Sequence, residues 1–264
     1  MTEQSSRPTK VAVVGAGNVG ATFAYSLLLS GLSSEIVLID ANQAKAEGEA
    51  MDLNHAVPML RPARVWAGSY ADCAGAAVTV ITAGSNQRPG ETRLDLVHRN
   101  VAIFKNIVGS IMEHNPNGII LVATNPVDVL SYATWKFSGL SHHRVLGSGT
   151  ILDTARFRYL ISTMFDVDPR SLHAYIIGEH GDSEVPAWSL TNIAGMNIND
   201  YCEMNHMECQ QERLDDAFAQ TRDAAYHIIE RKGATYYAIA SGLTRIVEAI
   251  LRDQNTVLSV SSLI

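Results

Sequence analysis

The chain has 264 residues, 47% of them hydrophobic and 18% charged, with a formal net charge of −7. That length and apolar share sustain one large domain or two moderate ones, each with a proper core, and exclude wholesale disorder. The acidic balance excludes a general nucleic-acid or anionic-membrane surface, and three cysteines do not suggest a disulfide framework but fit a reducing cytoplasm.

The polar start MTEQSSRPTK leads directly into VAVVG, without the apolar core of a signal peptide. No apolar run approaches membrane-spanning length. KVAVV (10–14), EIVLID (35–40), VTVIT (78–82) and GIILVAT (118–124) are short and nearly all apolar, the pattern of strands covered on both faces. Between the first two, NVGATFAYSLLLSG has helical spacing and ends at Gly31, a C-cap. Strands alternating with helices predict an α/β fold, a doubly wound parallel sheet with right-handed crossovers. The texture changes beyond Thr150. A helix is expected at 150–165, short β-like pieces around 172–194, and long helices at 207–232 and 236–252. The expected boundary lies near Gly147, giving domains of 1–147 and 148–264, the second a mixed α+β unit.

Gly15-Ala16-Gly17-Asn18-Val19-Gly20 follows the first strand and opens the first helix. In that context Gly15 permits the tight turn, Gly17 lets the backbone approach a pyrophosphate, and Gly20 lets helix and strand pack closely. The helix N-terminus adds unpaired N–H groups for the anion. Asp40 ends the second strand, where its carboxylate can accept both ribose hydroxyls of an adenosine and repel a 2′-phosphate. Neither Ala41 nor Asn42 supplies a compensating cation, so the unit favours NAD over NADP. This is a Rossmann-type arrangement.

A dinucleotide site implies hydride transfer, and reduction of a carbonyl needs a proton donor as well. IIGEHGDSEVP (176–186) sets His180 between acids and glycines, and an imidazole titrates near neutrality. Asp153, at the start of TILDTARFRYL, can fix its tautomer. Arg156 lies three residues on and can grip a carboxylate with two parallel bonds, although an ordinary surface ion pair has the same spacing. AGSNQRPGETRLDL (83–96) has the composition of a lid, with Arg93 as the cation it would carry to a reacting carbonyl; a solvated loop has that composition too. In TNPVD (124–128) Asn125 stands at the carboxyl edge of the sheet, where ligands of such folds gather.

Taken together, GAGNVG, NQRPGETRLDL, TNPVDV, GTILDTARFR, GEHGDSE and KGATYYAIA resemble the L-lactate/malate dehydrogenase family, its bacterial L-lactate branch above all. The resemblance implies His180 as proton donor and acceptor, Asp153 as its partner, Arg156 as carboxylate clamp and Arg93 as the mobile polarising arginine. It implies Asn125 as a substrate and cofactor contact, and Thr82, Ala83 and Gly84 beside Gly15, Gly17, Asn18, Val19, Gly20 and Asp40 in the NAD site. Gln87 is the residue that fits the methyl of pyruvate, where malate dehydrogenases place an arginine; here Arg88 follows it. Thr235 lines the same small space. Pyruvate/L-lactate is therefore the expected pair, within glycolysis and fermentation, with malate or another 2-hydroxy acid as the alternative. A non-catalytic NAD-binding protein is the alternative from another class.

The resemblance further implies a homotetramer activated by fructose 1,6-bisphosphate through Arg158 and His173. On an ideal helix Arg158 is rotated about 160° from Arg156, away from the catalytic face. Family members continue past TVLSVSSLI, so the substrate domain is expected to lack its C-terminal part. Cys202, His206 and Cys209 have the spacing of one helix face or of a loop, and offer one ligand too few for a closed metal site.

Overall fold

The computed structural model describes residues 9–85, 90, 92–209 and 211–263, with the Arg93 side chain excepted. They divide into two compact units. The first comprises the chain up to Ser148, Tyr236–Val257 and the residues from Ser261 on; the second comprises Gly149–Thr235 and Leu258–Val260.

In the first unit β1 (Lys10–Val14), β2 (Glu35–Ile39), β3 (Arg64–Ala67), β4 (Val78–Ile81), β5 (Ile119–Val122) and β6 (Val145–Gly147) form one parallel sheet, ordered β3-β2-β1-β4-β5-β6. The four apolar runs legible in the sequence are its interior strands, buried along nearly their whole length. The doubly wound α/β expectation is met. The order reverses between β1 and β4, which opens a crevice at the carboxyl ends of those two strands.

Helices α1 (Asn18–Ser30), α2 (Gln43–Ala56), α3 (Arg93–His114) and α4 (Val127–Ser138) join the strands. Gly31 ends α1 in the left-handed conformation at φ 64° and returns its N–H to the Leu28 carbonyl. Thr92 caps α3 in a reciprocal box with Asp95. The stripe Phe104, Ile107, Val108 and Ile111 then lays α3 on the sheet against Ala12, Val37, Ile120 and Val122. Each such fully buried side chain stabilises by about 1.5–3 kcal/mol.

The second unit is built on α5 (Ile151–Phe165), β7 (Leu172–His173), β8 (Ile176–Ile177), β9 (Val185–Pro186), β10 (Asn192–Ile193), β11 (Met196–Asn197), α6 (Ile198–Met204) and α7 (Gln211–Lys232). β8 and β9 pair antiparallel, so residues 178–184 form the connection of a hairpin. Phe157, Ile161 and Phe165 of α5 bury themselves with Leu172, Ala174, Ile176 and Ile193, and with Leu214 and Ala217 of α7. Trp188 adds an edge contact on Phe157 at 5.1 Å. The expectation for the cysteines needs correcting here. Helix α6 stops at Met204, His206 takes a positive φ of 54°, and the turn brings Cys202 and Cys209 into a disulfide.

α8 (Tyr237–Leu251) belongs to the first unit, where it lies along α1 with Leu243, Ile246 and Val247 buried and a Thr244–Ser26 hydroxyl bond of 2.8 Å. Ser261 pairs with Gly147 at the end of β6 through two backbone bonds. No described helix is long and apolar enough to cross a membrane.

Candidate active site

In the first unit the loop from β1 to α1 lies at the sheet's switch point. Gly15 has φ +108°, and a Cβ there would stand 2.5 Å from the Ala83 nitrogen. At Gly20 a Cβ would fall 1.8 Å from the Gly15 carbonyl oxygen. Those two glycines serve the fold itself. Gly17 differs, since a Cβ there would meet nothing within 4 Å. Among the described residues no atom fills the space above it, as a cradle for a pyrophosphate requires. Gly17 is also the N-cap of α1, no side chain caps that helix, and its first turn holds no acid. The N–H groups of that turn, over Asn18 and Val19, thus remain for an anion.

Asp40 is anchored by two backbone amides, that of Ala16 at 2.6 Å and that of Asn42 at 2.8 Å. Its charge stands beside the glycine loop, so a ribose diol fits and a phosphate ester does not. Thr82 donates to the Gly15 carbonyl at 2.8 Å, and the amides of Thr82 and Ala83 both bond Val14. A Cβ on Gly84 would collide with Thr124 at 2.3 Å. These residues fit NAD.

The root of the expected lid is tied by a residue that sequence reading passed over. Asn100, fully buried on α3, accepts from the Ser85 amide and hydroxyl at 2.9 Å and donates to the Asn125 carbonyl at 3.2 Å. It lies four residues before Phe104 on the buried stripe, so a polar residue inside an apolar periodicity was the available signal. Asn125 itself is exposed, ahead of a cis bond to Pro126. Gln87 and Arg88 lie outside the described residues. Arg93 is the first residue of α3, and its side chain lies outside them too.

The second unit holds the titratable groups. Thr150 and Thr154 donate to the Ile176 carbonyl at 2.6 and 3.3 Å, and the Ile176 amide returns a bond to Thr154 at 3.0 Å. These bonds fix β8 to the first turns of α5. Four residues on, His180 sits between Gly178 (φ 93°) and Gly181 (φ 127°), conformations that favour glycine. His180 Nδ1 meets Asp153 Oδ2 at 2.5 Å, while Arg156 Nη1 donates to Asp153 Oδ1 at 3.0 Å. With Asp153 3% and Arg156 14% exposed, the pair is no solvated surface bridge. A carboxylate on Nδ1 leaves Nε2 as the atom that exchanges protons.

Sequence reading also passed over Glu184. It is buried, with Oε2 4.0 Å from His180 Nδ1. Burial, then the neighbouring Asp153 charge, pushes its carboxyl up to about 7. The ligand atoms of Asp153, His180 and Glu184 lie within 4.8 Å of one another, but the short His180–Asp153 contact is a hydrogen bond with no gap for an ion between its atoms. Thr235 is half-buried in the link after α7. Arg158 Nε bonds the Ala174 carbonyl at 2.9 Å and stacks over Tyr175, next to exposed His173.

Comparison with known proteins matches residues 9–147 to the NAD-binding domain of lactate/malate dehydrogenases, and residues 150–263 to their alpha/beta C-terminal domain. The chain belongs to the lactate/malate dehydrogenase family. It is 57% identical over 255 residues to an L-lactate dehydrogenase of Acetivibrio thermocellus, covering 97% of this chain and 80% of that one. A Priestia megaterium L-lactate dehydrogenase is 56% identical over 263 residues, covering 100% and 82%. Among solved structures, a lactate dehydrogenase from a Medee basin deep-sea metagenome library superposes with a TM-score of 0.94 at 50% identity, covering 97% and 82%. The minor L-lactate dehydrogenase of Enterococcus mundtii, in a ligands-bound form, gives 0.94 at 48%, with the same coverage.

Proposed function

We propose that the chain is an NAD-dependent L-lactate dehydrogenase that interconverts pyruvate and L-lactate. One observation carries the reading: the Asp153 carboxylate holds His180 on one oxygen and Arg156 on the other. A proton donor and a carboxylate receptor fixed to the same group suit a substrate whose carboxylate adjoins the carbonyl to be reduced, a 2-oxo acid. That the relatives named above are L-lactate dehydrogenases supports lactate rather than malate as the substrate.

Bound NADH supplies the hydride. Arg156 takes the pyruvate carboxylate through two parallel bonds. Protonated His180 gives its Nε2 proton to the carbonyl oxygen as the adjoining carbon is reduced, and Asp153 steadies the imidazolium. In lactate oxidation the neutral ring takes the hydroxyl proton back. Arg93, at the head of α3, polarises the carbonyl once the lid excludes water. Asn125 contacts both cofactor and substrate. Gln87 and Thr235 leave room for a methyl and offer no cation to a second carboxylate, which disfavours oxaloacetate. Gly15, Gly17, Asn18, Val19, Gly20, Asp40, Thr82, Ala83 and Gly84 hold the NAD.

Functionally the division falls at Gly147, with NAD on 1–147 and substrate on 148–264. Arg158 and exposed His173 lie on the second unit, and we assign them to a fructose 1,6-bisphosphate effector at a homotetramer interface. The enzyme works in the cytoplasm, where the Cys202–Cys209 bridge would be kept reduced, without nucleic-acid or membrane partners.

The test is NADH oxidation by the purified chain with pyruvate, and with oxaloacetate in parallel. Turnover selective for pyruvate is expected. Preference for oxaloacetate would overturn the Gln87 argument. NADH binding without turnover of either would leave a nucleotide-binding protein that keeps the fold without the chemistry.

A further inference from the structure

Glu184 has no part in the scheme above, yet it lies against the centre of it. It is 4% exposed, Oε1 has no hydrogen-bond partner among the described residues, and Oε2 is 4.0 Å from His180 Nδ1. One carboxylate oxygen each of Glu184 and Asp153 lies with a His180 ring nitrogen in a cluster no more than 4.8 Å across. Like charges this close in a buried setting disfavour double ionisation, so the two carboxyls hold a proton between them. Asp153 already accepts from Arg156 and His180, so the shared proton belongs on Glu184.

Resting on the dehydrogenase reading, we propose that Glu184 is a positioning residue with two charge states behind the catalytic imidazole. Protonated, it leaves the pair with one negative charge. Ionised, it adds a second. The change takes place in the neutral range, for burial and the Asp153 charge push this carboxyl up to about 7. The groups facing it are Asp153 from α5, with Arg156 beyond it, and His180 and the Gly181 backbone from its own hairpin. Arg222 of α7 feels the charges of Asp182 and Glu184. Among these His180 is the one that must exchange a proton in each turnover. A second negative charge behind the ring favours the imidazolium, the form that pyruvate reduction consumes. The enzyme thus keeps its proton donor charged as the medium becomes alkaline, where a lone carboxylate would let it go.

The experiment compares the pH profiles of kcat/KM for pyruvate in the wild type and in E184Q, whose amide cannot ionise. Wild-type turnover of pyruvate tests the dehydrogenase reading, and the comparison tests this one. In E184Q the alkaline fall is expected to begin about one pH unit lower. Superimposable profiles would overturn the proposal, and so would a uniform loss at every pH with the limb unmoved, which is the mark of a structural role. Carbon-13 NMR of the glutamate carboxyls of the wild-type holoenzyme decides independently of how the variant folds. One resonance titrating near 7 is expected, and all of them titrating in the ordinary carboxylate range would refute it.

Discussion

Asp153 uses both of its oxygens, and the consequences of removing its charge can be read separately. In Asp153→Asn an amide still fills the site but no longer stabilises the imidazolium. Steady-state kinetics should show kcat for pyruvate falling by about 10²–10⁴-fold. A fluorescence titration should show NADH affinity nearly unchanged, since the glycine cradle and Asp40 are untouched. An equal loss of NADH affinity would mean that the substitution had damaged the fold instead. The residue types of this cluster were readable in the sequence because Asp153 and Arg156 share a helix face and His180 is framed by glycines. Glu184 was not, since an acid four residues beyond a histidine in a turn reads as solvated. Its burial comes from the closing of the β8–β9 hairpin on α5, a long-range fact with no local trace.

At the scale of single elements, the β1–α1 loop separates glycines needed for folding from one needed for a ligand. Gly20→Ala would drive a methyl into the Gly15 carbonyl at 1.8 Å, whereas Gly17→Ala would place it in open space. Differential scanning calorimetry should find Gly20→Ala destabilised by roughly 2–4 kcal/mol, with NADH binding lost as well. Gly17→Ala should melt with the wild type and yet bind NADH at least about tenfold more weakly. The interior strands were legible for a related reason, because burial on both faces forces a continuous apolar run. β3 (RVWA) and β6 (VLG) escaped notice as edge strands of four and three residues, too short and too mixed to carry a pattern. The Cys202–Cys209 bridge was equally hidden, because the spacing fits a helix until the chain turns at His206. Its seven-residue separation makes the bridge a modest constraint on the unfolded chain. Reductant should lower the melting temperature by roughly 5 °C, and a Cys202→Ser/Cys209→Ser variant should not respond to reductant at all.

For the whole molecule, pH enters through the proton on Glu184. Its folded-state carboxyl sits at about 7 against an ordinary 4.5, so between those values the native state binds more protons than the unfolded chain. Stability must therefore fall as pH rises through that window and level off above it. Thermal unfolding from about pH 5 to 8 should show the wild type losing stability relative to E184Q, and parallel curves would contradict the assignment.

The pairing of α8 with α1 was beyond reach of sequence reading, because it joins residues over 200 positions apart through the Thr244–Ser26 contact. It also dictates a schedule for synthesis. Helix α1 is made well before its partner, and its surface waits uncovered until residues 237–251 emerge. All of the second unit's main segment is made in the interval. A nascent chain paused between the two helices would present the bare flank of α1 to chaperones.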